Sequence, residues 1–241
     1  MNVYKKSFNQ FKNNALNLIG GTLIYVISVA LLSSLAGITI PFIGFIVSFA
    51  VDAIATCLYI RFLIKIVDGE SDISIEDYLN NCFKNVKYSI AKVMFVKAVK
   101  STLTFILVAV FVATTIYQIT AYAFGIFPLI ASIASMLGFL LLMNLIIDLM
   151  LAFTVYVAVD DDFESKTLRE TLKDGIKMMN GYRFKYILAK IAYLILLGFG
   201  AMFFGIGLFV SIPLGNLIIL NLYLESKEKY INSNNKTIDV K

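Results

Sequence analysis

Apolar runs of membrane-crossing length limit what this chain can fold into. Leu16 to about Leu35 carries no charged side chain, and a second run extends to about Leu63. Others cover 101–121 and 126–159, a fifth ends near Phe204, and a sixth runs from about Leu208 to Leu224. These lengths approach or exceed the roughly 20 residues that a helix needs to cross a hydrocarbon layer about 30 Å thick. Of the 241 residues 59% are hydrophobic and 15% charged, whereas soluble domains are nearer a quarter charged. The expectation is an all-α membrane protein with six transmembrane helices. The run 126–159 is longer than one straight crossing and leaves three paths open: tilted, broken near Gly138, or extended past the bilayer.

The basic residues set the orientation. All 21 Lys and Arg fall in the N-terminal segment, the two long polar connections, their flanking helix ends or the C-terminal tail. The turns near 36–40, 120–127 and 205–212 carry no charge. By the positive-inside rule, a multi-pass cell-membrane protein with both termini in the cytoplasm is expected. The first fourteen residues are polar and no small-residue cleavage site follows, so no cleavable signal peptide is expected. In a chain this apolar, the net charge of +5 points to anionic lipid head groups at the cytoplasmic leaflet as partners, and not to nucleic acid.

One order of parts recurs three times: an amphipathic helix, a basic patch, and a hairpin. In the first, Tyr4, Phe8, Phe11 and Ala15 share one helical face and Lys5, Lys6, Asn9 and Lys12 the other. In the second, Ile75, Tyr78, Leu79, Cys82, Phe83 and Val86 form the apolar face, after a capping-box-like Ser74 and Asp77. In the third the face is Leu168, Thr171, Leu172, Ile176 and Met179, after the capping box Thr167 and Glu170. Three repeated hairpins, each preceded by a cytoplasmic interfacial amphipathic helix, divide the chain into 1–67, 68–163 and 164–225. A disordered cytoplasmic tail is expected over 226–241.

Most catalytic chemistry is excluded or unsupported. There is no histidine, hence no Ser-His triad and no imidazole metal ligand. Phosphate-loop and dinucleotide fingerprints are missing. Cys57 and Cys82 belong to no ligand cluster. No catalytic residue, metal or cofactor is expected, and the chain is not read as an enzyme. Asp160–Asp162 is a charge run that lacks the Gly-punctuated pattern of a Ca²⁺ loop.

What remains is a set of polar groups inside the apolar runs. Asp52 stands seven residues before Tyr59, Asn216 seven before Tyr223, and Asp148 eight before Tyr156. With Asn144 they make a candidate intramembrane polar site, since such groups are costly in hydrocarbon and favour a bundle interior or water. Asn221 is of the same class. Two readings stay open: a midplane site for a cation, proton or lipid head group, or hydrogen bonds that hold helices together. With the basic groups placed at the cytoplasmic ends, at least one of Asp52 and Asp148 is expected to be neutral. Tyr59, Tyr156 and Tyr223 read as interfacial anchors.

Three segments carry a resemblance: DGIKMMNGYRFKY (174–186), FFGIGLFVSIP (203–213) and NLIILNLYLE (216–225). Over about the last 60 residues the chain resembles a prokaryotic superfamily of uncharacterised integral membrane proteins. That group is similar to the membrane domain of some glycerophosphodiester phosphodiesterases. Pro213 and Tyr223 fit its closing pattern, while Leu214 replaces a common tyrosine. The resemblance implies a helical bundle with interfacial helices and no catalytic residues. The function expected is a non-enzymatic protein acting on or with the bilayer. The alternative is a small-molecule, proton or cation transporter using Asp52 and Asp148.

Overall fold

A computed structural model describes residues 2–37, 41–69, 86–121, 126–202, 205 and 207–238. Every regular element among them is helical. α1 (Val3–Asn13) precedes α2 (Ala15–Gly37), α3 (Pro41–Val67), α4 (Val86–Ala121) and α5 (Ile126–Val159). A 3-10 turn at Asp161–Phe163 leads to α6 (Leu168–Met179), α7 (Arg183–Met202) and α8 (Leu208–Ile238). Six helices, α2 to α5 with α7 and α8, are long and apolar enough to cross a membrane. They pack in consecutive pairs, α2 on α3, α4 on α5 and α7 on α8, while α1 lies on α8 and α6 on α5.

The run 126–159 is one unbroken helix of 34 residues, about 51 Å at 1.5 Å per residue. Gly138 does not interrupt it. Only 6% of the apolar window in α4 and 11% of that in α5 is buried, against 56% in α8. Phe105, Ile116, Phe139 and Leu141 are among the exposed side chains. This pair therefore offers apolar surface on nearly all sides, as a lipid-facing hairpin does. The core gathers instead toward one end, from Tyr59–Ile66 of α3, Phe153–Val159 of α5 and Leu217–Tyr223 of α8.

Two close approaches depend on glycine. A Cβ at Gly200 would lie 2.8 Å from the backbone of Gly207, so α7 meets the start of α8 backbone to backbone. A Cβ at Gly175 would lie 2.6 Å from the Thr154 backbone, so α6 is pressed onto α5. That contact sets the face of α6: Thr171, Asp174, Gly175, Met178 and Met179 are buried, while the expected Leu168 is exposed. The predicted capping box is present, with Thr167 N donating to Glu170 Oε2 at 2.9 Å and Thr167 Oγ1 accepting from Glu170 N. The amphipathic face expected over 75–83 lies outside the described residues.

The stretch 226–238, expected as a disordered tail, forms the last turns of α8. Ser226, Lys227 and Tyr230 explain the difference. Ser226 donates to the Met178 carbonyl at 2.6 Å, and Tyr230 to Asp174 Oδ1 at 2.9 Å. Lys227 reaches the 3-10 turn. Ser226 and Tyr230, one helical turn apart, hold the helix against α6, and Lys227 holds it against the 3-10 turn, despite its polar composition.

Candidate functional site

Asp52 and Asp148, the two carboxylates within the apolar runs, are met by lysines. Lys97 Nζ lies 2.6 Å from Asp52 Oδ2 and donates to Thr56 Oγ1 at 2.6 Å and to the Asp52 carbonyl at 3.0 Å. Lys100 pairs with Asp148. The expectation that no basic group reaches this depth is thereby corrected, and with it the reason to expect a neutral Asp52 or Asp148. The physical cause is the length of α4. The helix begins at Val86, well before the apolar run, so Lys97 and Lys100 sit inside the rod instead of flanking it. Separated by three residues, they share a face.

These pairs border a cavity of about 400 Å³ to which all six long helices contribute. Its polar lining is Thr56 from α3, Lys97 and Lys100 from α4, Asp148 from α5, Lys190 from α7 and Asn216 from α8. Five tyrosines join them: Tyr25, Tyr59, Tyr156, Tyr186 and Tyr193. Asp52 borders the cavity indirectly, behind Lys97. Lys190 lies seven residues into α7 and Asn216 nine residues before Glu225, roughly 10–14 Å along their helices from the charged end.

Asp148 and Asn216 are thus brought together, while Asn144 is not. Asn144 accepts from Thr104 Oγ1 at 3.3 Å and donates to the Leu140 carbonyl at 3.1 Å, tying α5 to α4 away from the cavity. Asn221 is also structural. Its Nδ2 contacts Ser7 Oγ at 2.9 Å and Gln10 Oε1 at 2.7 Å, fastening α1 to α8.

The three tyrosines expected at the head-group layer sit in the core. Tyr59, Tyr156 and Tyr223 are 6%, 8% and 0% exposed. Tyr59 shares a hydrogen bond of 3.0 Å with Thr22 and stacks on Tyr25. Tyr223 stacks on Tyr156 and donates to Asp160 Oδ2 at 2.8 Å. Burying a phenol with a hydroxyl partner is favourable, as at Tyr59 and Tyr223, while Tyr156 is covered by the Tyr223 ring.

Sequence reading missed Lys97, Lys100, Lys190 and Tyr186 as members of the site. Lys190 carried a signal, standing four residues after Tyr186 between Ala189 and Ile191.

The acidic triplet is fully engaged by cationic side chains. Asp160 and Asp162 pair with Lys227 at 2.7 and 2.6 Å, and Asp161 with Arg61 at 2.5 Å. Lys92, itself buried, donates to the Phe163 and Glu164 carbonyls at 2.8 Å each. Groups from α3, α4 and α8 therefore converge on one short turn.

No family model matches the chain, and no curated protein or solved structure matches it either.

Proposed function

We propose that the chain is a non-enzymatic multi-pass protein of the cell membrane that acts on or with the lipid bilayer, with its basic end in the cytoplasm. The observation that carries this reading is the surface of α1. At about 100° per residue, Val3, Ser7, Gln10 and Phe11 form the sector turned to the bundle. The adjoining sector exposes Tyr4 and Phe8, and the next carries exposed Lys5 and Lys12. An aromatic stripe bordered by lysines suits a helix in the interfacial plane, with rings among acyl chains and ammonium groups at anionic phosphates. The recurring order of amphipathic helix and hairpin supports reading the protein as three repeats of one interfacial unit.

Native mass spectrometry of protein purified from mixed micelles is the test. Anionic lipids should be retained over neutral ones, and K5Q/K12Q should reduce the preference. Equal retention of neutral and anionic lipid would overturn the reading.

A transporter is the second reading, favoured by one observation: side chains from all six long helices line a single cavity. Small-solute flux into proteoliposomes that is lost in D148N would support it over the first.

A further inference from the structure

The cavity holds one more cation than its carboxylates neutralise. Asp52 pairs with Lys97 and Asp148 with Lys100. That leaves Lys190, whose Nζ lies 5.8 Å from the Tyr186 ring centroid. Among the described residues, no carboxylate lies within ion-pair distance of it. An ammonium at this depth without a counter-charge is costly.

A second observation points the same way. Tyr156 and Tyr186 are more than nine-tenths buried and both line the cavity, yet neither hydroxyl makes a hydrogen bond to another described residue. Buried phenols normally find a partner.

From these we propose that the cavity binds one phosphate-bearing monoanion, seated on Lys190 and held by the hydroxyls of Tyr156 and Tyr186. The net charge of the lining selects an anion of single charge. The donors come from α5 and α7, and a tetrahedral oxyanion presents acceptor oxygens in several directions, as such a set requires. Lysine serves phosphate as a point charge. The volume of about 400 Å³ falls within the 300–1,000 Å³ common for small-ligand pockets. Two sources share this chemistry: the phosphodiester of a membrane lipid and free inorganic phosphate. The inference needs the bundle but not the α1 surface, so the two ideas stand or fall separately.

The experiment uses the full chain in a phosphate-free sugar detergent at constant ionic strength. Thermal stability is followed while titrating dihexanoyl phosphatidylglycerol, inorganic phosphate or dihexanoyl glycerol. Saturable stabilisation by the phospholipid alone assigns a lipid head group, and stabilisation by inorganic phosphate assigns the free ion. In either case K190Q should weaken apparent affinity about tenfold or more, K190R should largely restore it, and Y186F should weaken it several-fold. K5Q/K12Q should leave this binding unchanged. If neither anion stabilises the wild type, or if K190Q and Y186F both bind as wild type does, the proposal is overturned. Should K190Q fail to fold, K190R and Y186F still decide the matter.

Discussion

Replacing Asp52 by asparagine tests the ionic reading of the cavity wall. Lys97 has three acceptors within 3.0 Å: the Asp52 carboxylate, the Asp52 carbonyl and Thr56 Oγ1. The substitution removes the only negative charge among them. Deleting one partner of a fully buried ion pair costs about 3–5 kcal/mol and of an exposed pair about 0–1 kcal/mol; the Lys97 and Asp52 side chains lie between, 18% and 44% exposed. Thr56, the carbonyl and the new amide oxygen still accept from Nζ, so the expected loss is intermediate, about 1–2 kcal/mol. At about 2–4 °C per kcal/mol for a chain of this size, the midpoint should fall by roughly 2–8 °C. The assay is thermal unfolding in detergent, followed by reaction of a fluorogenic maleimide with Cys57, which is fully buried, in a Cys82→Ser background. K97M should destabilise comparably, and D52N/K97M should recover most of the loss, because no lone charge remains. The reasoning is refuted if D52N melts with wild type from pH 5 to 9, or if the double variant is no better than the worse single one.

Three further predictions concern the packing around the site. G175V should cost on the order of 1–3 kcal/mol or more, because the Thr154 backbone leaves no space for a Cβ; a midpoint within a degree of wild type would refute that contact. Y223F removes a donor from buried Asp160 and should lower stability by about 1–3 kcal/mol, with K227M worse because it strips the cation from both Asp160 and Asp162. The Glu170 carboxyl is held below its ordinary pKa, first by the backbone N–H of Thr167 and then by its hydroxyl. Its contribution is therefore present above the ordinary carboxylate range and lost as pH falls through the lowered value. A difference in midpoint between wild type and E170Q that shrinks on acidification checks this, and a difference that grows would reverse the sign.

Helix positions were legible because hydropathy over 20 residues averages out single substitutions. The capping box at Thr167 and Glu170 was legible because both partners are local in sequence. Asp148 and Asn216, singled out as polar groups within apolar runs, do line one cavity. Pairing was not: nothing near Asp52 in sequence names Lys97, since the contact depends on where α4 begins and which face it turns to α3. Lys97 and Lys100 precede the apolar run and so resembled flanking charges. The tyrosines misled for a related reason. Position near a helix end is shared by head-group anchors and core residues, and only neighbours such as Asp160 and Thr22 distinguish them. The helical ending of α8 was hidden because its composition is polar and its partners lie on α6 and the 3-10 turn.

Synthesis proceeds from the N-terminus, so Asp160 is made long before Tyr223 and Lys227. Arg61 and Lys92 are present by then and can dock the first two hairpins across the turn. Asp160 itself has no counter-charge until the last helix arrives, and a bare carboxylate resists burial. Lys227 supplies that counter-charge from α8, so burial of Asp160 waits on the last helix. Nascent chains that stop before Tyr223 expose that unpaired carboxylate beside apolar surface, which distinguishes them from finished molecules.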